Sequence, residues 1–347
     1  MQYNFHLDIL KDHVKIGEAL ALNCTIKFDE KAEVMRGIQF EMSEDKINIT
    51  PIQNGNTPTF DRFTNRIRPV LEYNGVSYPL GVYMITTTPE SLSDTGSYMQ
   101  CEGYDETMIL KQAKTTQRLY YNTGVSYLSI IEGLLTECGL TNVIADANTA
   151  TITPAREYEP GKSYLEIINE LLTEIDYEPV YADFNGYIHL HKKQNKQTAD
   201  ISYTDISDFK IIKPIKRTTD IYNLPNVITG VLSSPERNVQ VYTAENTRLD
   251  SAISIPKRGY RVVQVVKLGN IANTATLQEY IDRLLLQAMQ TTEVLEFTTF
   301  AEGAHEYGTM VSLDTNLVSG LYRETAYTIR IDRTARMTHT LERKVYV

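Results

Sequence analysis

Residues 70–78 read Val-Leu-Glu-Tyr-Asn-Gly-Val-Ser-Tyr, two short extended runs separated by Asn74-Gly75. Asn and Gly both tolerate the positive φ angles of a type I′ turn, so this dipeptide predicts a two-residue β-hairpin. A hairpin joins strands that are neighbours in the chain and antiparallel. We therefore expect antiparallel β structure around it.

Period-two alternation of apolar and polar residues dominates the segment from residue 1 to 112. In the run from Arg36 to Glu44, the side chains of Ile38, Phe40 and Met42 share one face, as a half-buried strand requires. The residues between them are polar and take the other face. These patterns predict an N-terminal antiparallel β domain over residues 1–112.

The middle of the chain contains an internal repeat with a period of 37 residues. Residues 124–137 realign with residues 161–174, and ten of the 14 pairs are identical. Three later residues also recur, Val143, Ala145 and Asp146 as Val180, Ala182 and Asp183. The repeated unit is predicted to be a helix followed by a short extended segment. Each helix has one apolar face, so we expect the two copies to bury each other.

The second copy is framed by recognisable local signals. Ser163 and Glu166 have the spacing of a capping box at the start of its helix. Two extended runs within residues 181–191 flank Asn185-Gly186 and predict another hairpin. A polar stretch without periodicity then runs to residue 198 and predicts a linker. We therefore predict an α/β insertion domain over residues 113–198.

The rest of the chain, residues 199–347, is predicted to be a second β domain with one helix over about residues 276–290. That helix is expected to begin at Thr276, an N-cap with Glu279 three residues on. Two alternating strands then close the chain, residues 325–332 and 337–347. The predicted fold class is thus α+β and predominantly β.

Composition narrows the class of protein further. The 347 residues include 34 Lys and Arg against 44 Asp and Glu, a net charge of −10 that opposes sequence-independent binding to nucleic acid or anionic membranes. No apolar run approaches the roughly 18 residues of a bilayer span, and the N-terminus lacks a signal-peptide pattern. We therefore expect a soluble protein without a membrane anchor. The 23 Tyr residues favour sheets and protein contacts, although AT-rich coding would produce the same excess.

The three cysteines, Cys24, Cys101 and Cys138, are odd in number and widely spaced. Such a set predicts neither a disulfide framework nor a zinc knuckle, and it fits folding in a reducing compartment. Cys138 falls on the apolar face of a predicted helix. We expect it to be a small buried hydrophobic residue.

Recognised catalytic motifs are missing from the sequence: it has no P-loop, dinucleotide-binding, zinc-protease or nucleophile-elbow pattern. His189 and His191 are two residues apart in a predicted strand, where both could face one metal ion. No Cys or carboxylate partner is visible nearby, and Lys192-Lys193 add unfavourable charge, so we predict no metal site there. His305-Glu306 could form an acid and base pair, but an ordinary loop is the better interpretation.

A basic run of Lys210, Lys213, Lys216 and Arg217 has two interpretations. It could follow a phosphate backbone, but these residues alternate with isoleucines in an acidic protein. A solvated strand edge is favoured, because edge lysines discourage aggregation. We therefore predict that the protein is not an enzyme and has no catalytic, cofactor-binding or metal-binding residues, and we predict no interface residues.

Several stretches recur, in a fixed order, in one known family. They are residues 78–89, 103–110, 161–172 running into 181–186, 223–227, 258–261, 305–306, and 323–328 with 335–339. This ordered set, which spans nearly the whole chain, resembles the tail hub (baseplate hub) proteins of bacteriophages and phage-tail-like bacteriocins, a family related to the late-control D proteins. Tyr78-Pro-Leu-Gly81 and Asn223-Leu-Pro-Asn-Val227 are examples of the shared stretches, and none of them is catalytic.

The resemblance implies two tube-type antiparallel β-barrel domains with a helix-containing insertion domain. It implies a homotrimer whose pseudo-sixfold ring is a symmetry adaptor between the hexameric tail tube and the trimeric spike, with a central channel. The implied partners are further copies of the chain, the tail tube protein or distal tail ring, the spike or tip protein and, as a further candidate, the tape measure protein. DNA would be only passing cargo, in a virion tail or bacteriocin particle assembled in the bacterial host cytoplasm.

Two alternatives to a structural hub remain open on the sequence. A tail-associated cell-wall hydrolase would need additional length and an active site, and the chain ends at Val347, directly after its predicted final strands. A receptor-binding minor tail protein would be expected to carry aromatic platforms, often with Trp, and the chain contains no Trp.

Overall fold

A computed structural model describes residues 3–49, 60–87, 90–93, 96–204, 211–234, 237–268, 274–303, 305–332 and 334–346. Over these residues the chain is predominantly β with five helices, in agreement with the predicted class. Two compact units are formed: unit 1 comprises residues 1–213 and 297–339, and unit 2 comprises residues 214–296 and 340–347. None of the described helices combines the length and apolar character needed to cross a membrane.

The elements follow one another along the chain in three groups. The first group is β1 (Tyr3–Lys11), β2 (Val14–Asp29), β3 (Arg36–Ile49), β4 (Arg66–Tyr73), β5 (Val76–Pro79), β6 (Tyr83–Thr87), β7 (Glu90–Ser93) and β8 (Gly96–Asp105). The second is α1 (Thr107–Gln112), β9 (Leu119–Tyr121), α2 (Tyr127–Glu137), β10 (Val143–Ala145), β11 (Arg156–Tyr158), α3 (Tyr164–Glu174), β12 (Tyr181–Ala182) and β13 (Ile188–Leu190). The third is β14 (Ile201–Thr204), β15 (Ile211–Thr219), β16 (Val227–Ser234), β17 (Arg237–Glu245), α4 (Ile255–Arg258), β18 (Val263–Leu268), α5 (Thr274–Ala288), β19 (Gln290–Phe300), β20 (Met310–Asp314), β21 (Ser319–Ile331) and β22 (Ala335–Tyr346).

The main sheet of unit 1 has the strand order β1-β4-β6-β8-β3-β2-β21, with β5 beside β4 and β7 beside β8. β1 pairs with β4 along one edge and with the first part of β2 along the other. The 16-residue strand β2 is long enough to serve two partners on that edge, β1 through residues 14–19 and β21 through residues 24–29. The inward side chains of these strands form one hydrophobic cluster.

The hairpin predicted at Asn74-Gly75 is confirmed. Asn74 has φ 52° and Gly75 has φ 76°, and β4 pairs antiparallel with β5 around them. The predicted inward face of β3 is confirmed as well, because Ile38, Phe40 and Met42 are buried. Local alternation and turn chemistry were sufficient signals for both features.

The 37-residue repeat folds as two copies related by a pseudo-two-fold axis. β9 of the first copy pairs antiparallel with β11 of the second, so that Tyr120 lies opposite Glu157, its own counterpart 37 residues later. The flanking pairs exchange in the same way, Leu119 with Tyr158 and Tyr121 with Arg156. The expectation that the copies bury each other is confirmed, because the apolar faces of α2 and α3 belong to one hydrophobic cluster.

Two hydrogen bonds between α2 and α3 repeat this exchange. The Tyr127 hydroxyl donates to the Glu174 carboxylate at 2.7 Å, and the Tyr164 hydroxyl donates to the Glu137 carboxylate at 2.9 Å. Tyr127 and Glu137 are the first and last residues of α2, as Tyr164 and Glu174 are of α3. The start of each helix is therefore bonded to the end of the other.

The predicted capping box is confirmed in the second copy. The Ser163 hydroxyl accepts the Glu166 N–H at 3.2 Å, and the Glu166 carboxylate accepts the Ser163 N–H at 2.9 Å. In the first copy Ser126 occupies the same N-cap position but makes no side-chain cap bond, and the residue three positions later is Ser129 instead of Glu. The two copies thus differ by one local stabilising feature.

Two details of the predicted insertion differ in the structure. Cys138 is the C-cap residue of α2, because the helix ends at Glu137; it is half-buried and packs against the hydrophobic cluster of the repeat. The hairpin around Asn185-Gly186 is present as the antiparallel pair β12–β13, but the connection is longer than two residues. Only Gly186 of the pair has a positive φ, and the Asp183 carboxylate closes the turn by accepting the backbone N–H of Asn185.

Unit 2 contains a three-stranded sheet with β16 in the centre, antiparallel to β17 and parallel to β18. α5 covers one face of this sheet through Leu277, Ile281 and Leu285. Gly230 of β16 permits that close approach, since a Cβ there would lie 2.5 Å from the Ile281 side chain. The other face exposes a set of valines, Val239, Val241, Val263 and Val265.

The predicted start of the last helix was wrong. α5 begins at Thr274, so Thr276 lies inside its first turn and is not the N-cap; residues 269–273 lie outside the described chain. The closing strands are longer than predicted, because β21 begins at Ser319 and β22 at Ala335. Arg333, in the predicted turn, and Val347 lie outside the described residues. The division into segments 1–112, 113–198 and 199–347 stays a prediction.

Candidate functional site

Arg36, the first residue of β3, places a guanidinium inside unit 1, where it is only 1% exposed. Its Nη1 donates to the Tyr327 hydroxyl at 2.6 Å, its Nη2 to Glu306 Oε2 at 2.6 Å, and its Nε to the Ala182 carbonyl at 3.1 Å. The Phe184 ring packs against it, with 4.5 Å from Cζ to the ring centroid. One side chain thus connects β3, β21, the hairpin β12–β13 and the loop that contains Glu306.

Glu306 is the second half of this connection. Its Oε2 accepts from Arg36, and its Oε1 accepts the backbone N–H of Phe184 at 2.9 Å. Burial raises the pKa of the Glu306 carboxyl, and the Arg36 charge opposes that rise. An arginine and a carboxylate that satisfy each other in this way hold segments together, because separating them would leave a charge without its partner.

A second buried group consists of His305, Glu324 and His339, all at most 1% exposed. The two Glu324 oxygens lie 2.7 Å from His305 Nδ1 and 2.7 Å from His339 Nδ1. The outer nitrogens also have partners, since His305 Nε2 lies 3.1 Å from the Tyr203 hydroxyl and His339 Nε2 lies 2.8 Å from Thr299 Oγ1. These side chains form a closed hydrogen-bonded network across β14, β19, β21 and β22.

The network holds a charged carboxylate in the interior. Burial alone would raise the pKa of Glu324, but the charge and hydrogen bond of His305 and the hydrogen bond of His339 lower it to about 2. Burial lowers the pKa of His339. The three side chains bring metal-binding atoms close together, but the 2.7 Å separations from nitrogen to oxygen are those of hydrogen bonds. In the structure these side chains are joined by hydrogen bonds.

His189 and His191 of the hairpin segment face each other, with 2.8 Å between His189 Nδ1 and His191 Nε2. Each outer nitrogen meets a carboxylate: His189 Nε2 lies 3.1 Å from Asp183 Oδ2, and His191 Nδ1 lies 3.2 Å from Asp146 Oδ1. The Tyr181 ring stacks on His189 with 5.0 Å between centroids. The structure therefore brings together the histidine pair and the carboxylate partners that were not visible in the sequence.

Another cluster with metal-binding side chains is His6, Asp8 and Glu18 on β1 and β2. Asp8 is surrounded by cations, since Lys15 Nζ and Arg68 Nη2 each lie 2.7 Å from one of its oxygens. Although burial raises the pKa of the Asp8 carboxyl, hydrogen bonds from His6, Lys15 and Arg68 lower it overall. Two side-chain cations already balance this carboxylate, which disfavours a metal ion there.

Lys213, Lys216 and Arg217 of the basic run belong to β15, which pairs with β19. Lys216 pairs with Glu296 at 3.0 Å, and Arg217 Nε lies 4.0 Å from Glu293. Lys210 and the side chain of Lys213 lie outside the described residues. The described part thus pairs with acidic residues on the neighbouring strand, as a solvated strand does.

Comparisons with known proteins identify the fold. No protein-family model and no curated protein matches the chain. Among solved structures, the tail protein from Neisseria meningitidis aligns with a TM-score of 0.63 and 11% identity, covering 98% of this chain and 97% of that chain. The prophage MuSo2 tail protein from Shewanella oneidensis aligns with a TM-score of 0.63 and 10% identity, covering 98% of each chain. This chain has the fold of phage tail proteins.

A third similar structure comes from Escherichia coli. It is a component of the type VI secretion system that exhibits structural similarity to the bacteriophage T4 tail proteins gp27 and gp5, and it aligns with a TM-score of 0.50 and 11% identity. The alignment covers 98% of this chain and 76% of that chain. The resemblance to tail proteins noted in the sequence is therefore confirmed at the level of the fold.

Sequence reasoning missed the residues that tie unit 1 together. The sequence did not mark Arg36 as a buried residue, because Arg36 begins its strand and the apolar alternation of that strand involves only the residues that follow. His305 and Glu306 were predicted to be ordinary loop residues, and the structure shows that both are engaged in buried polar contacts. The one usable signal was the recurrence of Asp146 as Asp183, which marks both carboxylates beside the histidine pair.

Proposed function

We propose that this chain is a structural hub of a phage tail or tail-like particle, three copies of which form a ring between the tail tube and the spike. The observation that carries the proposal is the likeness of the fold to two tail proteins, which extends over 97–98% of both aligned chains. Such a likeness concerns the whole chain and not one widespread module. The ring leaves a central channel.

The symmetry of the ring follows from two tube-type barrels per subunit, so that three subunits offer six similar barrels to the hexameric tube. Support for the first barrel is the circuit of strand pairs β1-β4-β6-β8-β3-β2, because β2 pairs again with β1. The second barrel belongs to residues 199–347, and the insertion over residues 113–198 separates the two along the sequence.

The hub has no chemistry of its own in this proposal. The buried ionisable side chains support a structural role, since Arg36 and Glu324 each use their polar atoms on neighbouring protein groups. Its partners are other copies of the chain, the tail tube protein or distal tail ring, and the spike or tip protein, with the tape measure protein as a further candidate. The net charge of −10 favours a channel that DNA passes through without binding.

Cryo-electron microscopy of assembled tails tests the proposal directly. The expected result is density for three copies on the tail axis, at the junction between tube and spike. Copies located at the periphery with the fibres would contradict the hub function and would favour a receptor-binding protein. An isolated chain that stays monomeric is compatible with the proposal, because the tube or the spike can be needed to close the ring.

A zymogram on bacterial cell walls separates the hub from the hydrolase alternative. The purified chain is expected to give no lytic band, with a lysozyme lane as the positive control for the gel. A clear band at the mass of this chain would contradict a purely structural role. A second test deletes the gene for this chain and supplies the chain from a plasmid. A structural hub is expected to restore the assembly of tails.

A further inference from the structure

We propose that His189 and His191 bind one divalent transition-metal ion between them, flanked by Asp146 and Asp183. The site lies in the segment that contains the 37-residue repeat. Its flanking carboxylates come from equivalent positions of the two copies, Asp146 after β10 and Asp183 after β12, while both imidazoles belong to β13 and the residue that follows it. The repeat thus supplies a pair of carboxylates, one on each side of a histidine pair.

The placement of the four imidazole nitrogens carries the argument. A carboxylate only accepts hydrogen bonds, so the nitrogens that face Asp183 and Asp146 hold the N–H protons. In neutral imidazoles the two inner nitrogens then have lone pairs, and these nitrogens are 2.8 Å apart.

Two facing lone pairs at that distance repel unless a positive species lies between them. A shared third proton or a metal cation both satisfy the requirement. The outer contacts favour a metal ion, because metal-binding histidines characteristically donate their second N–H to a carboxylate, which fixes the tautomer and makes the ligand more basic. Here both His189 and His191 have that arrangement.

The chemistry of the ligands selects the metal. Imidazole suits Zn²⁺, Ni²⁺ and Cu²⁺, and metal–nitrogen distances of about 2.0–2.1 Å place two nitrogens at a right angle about 2.9 Å apart. The observed 2.8 Å matches such a pair in a square-planar or octahedral site. A tetrahedral Zn²⁺ site would widen the separation to about 3.3 Å, which a small rotation of each ring supplies. The side chains of His189 and His191 are 14% and 28% exposed, so the ion can enter and keep water as further ligands.

The local charge balance is also suitable. Asp146 and Asp183 together carry two negative charges, which a divalent ion neutralises. The nearby Lys193 is paired with Asp176 at 3.6 Å, and Lys192 contributes its backbone N–H to Asp146. Of the two lysines that made a metal site unattractive in the sequence, Lys193 therefore has its ammonium group directed at a carboxylate in the structure.

Isothermal titration calorimetry tests the proposal on the full-length chain, expressed without a histidine tag and treated with a chelator. ZnCl₂, NiCl₂ and CuCl₂ are the titrants, at neutral pH. The expected result is one ion per chain for at least one of these metals. His191→Gln is expected to weaken that binding at least tenfold, and Asp146→Asn, which keeps both imidazoles, by about 10–100-fold. His13→Gln, at a partly exposed histidine of unit 1 outside the site, is the matched control and should bind as the wild type does.

Two results would overturn the proposal. Titrations without a binding isotherm for any of the three metals would mean that the histidines share a proton instead. Equal affinity in wild type and His191→Gln would place the ion elsewhere. If His191→Gln reduces the folded fraction, electron paramagnetic resonance of the Cu²⁺-loaded wild type decides the question, since two nitrogen ligands are expected and fewer than two would contradict the site.

Discussion

Replacing Arg36 by Met should strongly destabilise unit 1, because Met keeps the apolar part of the side chain but removes the buried charge. Glu306 Oε2 and the Ala182 carbonyl would then lose their donor. Removing one partner of a buried ion pair costs about 3–5 kcal/mol. Since the Glu306 side chain is 35% exposed and water can solvate part of it, we expect the lower end, about 3 kcal/mol.

The pair can be isolated by a double-mutant cycle. Glu306→Gln alone leaves the guanidinium without its counter-charge and should cost about 2 kcal/mol, although the amide oxygen still accepts from Phe184. In the double variant neither charge remains, so the combined loss should be smaller than the sum by about 2 kcal/mol. Arg118→Met is the control, because the exposed Arg118 pairs with Glu159 at the surface and its loss should leave the stability close to that of the wild type.

Urea unfolding at neutral pH, followed by far-UV circular dichroism, measures these differences without the ionic screening that guanidinium would add. Hydrogen exchange at the Phe184 amide localises the effect, since that N–H donates to Glu306. Additive losses in the double variant, or a loss below about 1 kcal/mol for Arg36→Met, would refute the idea that this ion pair joins the hairpin to the sheet.

Three further tests address other elements of the structure. Ser163→Ala should destabilise the protein by about 1 kcal/mol through loss of the capping box, whereas Ser126→Ala, at the uncapped equivalent position, should have almost no effect in the same urea titrations. Gly75→Ala should cost about 1–2 kcal/mol because of its φ of 76°, and Gly133→Ala inside α2 should instead stabilise by up to about 1 kcal/mol; a similar sign for both would contradict the turn assignment. The pKa of Glu324 is about 2 in the folded chain and about 4.5 in the unfolded chain, so ionisation of this carboxyl should add about 3 kcal/mol to the free energy of unfolding. This contribution is complete above about pH 5 and is lost as the pH falls towards 2. Glu324→Gln should remove that part of the acid sensitivity, and parallel stability profiles for wild type and variant between pH 7 and 3 would contradict it.

The predictable part of the fold is the part encoded by neighbouring residues. Alternation in β3, the Asn74-Gly75 turn and the Ser163 cap all depend on residues within four positions of one another, and each is present in the structure. The repeat was also readable, because identical residues at a constant offset need no knowledge of the fold. Its pseudo-two-fold arrangement was not, since only the pairing of β9 with β11 reveals how the copies face each other.

The polar contacts depend on proximity that no local pattern encodes. Arg36 contacts Glu306, which lies 270 residues further along the chain. No stretch of neighbouring residues contains both, so no local pattern could reveal the pair. Asp146 reaches His191 because β10 pairs parallel with β13, a non-local pairing. For the same reason a sequence can reveal which residues are unusual, such as two histidines two positions apart, without revealing their partners.

The shared strand β2 has a consequence for synthesis. Residues 24–29 of β2 find their partners in residues 326–331 of β21, which leave the ribosome about 15–60 s later at about 5–20 residues per second. Throughout that interval part of β2 has an unpaired edge, the kind of surface to which another chain adds. Chaperones are therefore expected to bind the nascent chain until β21 emerges, and polypeptides that stop before Ser319 should aggregate instead of folding.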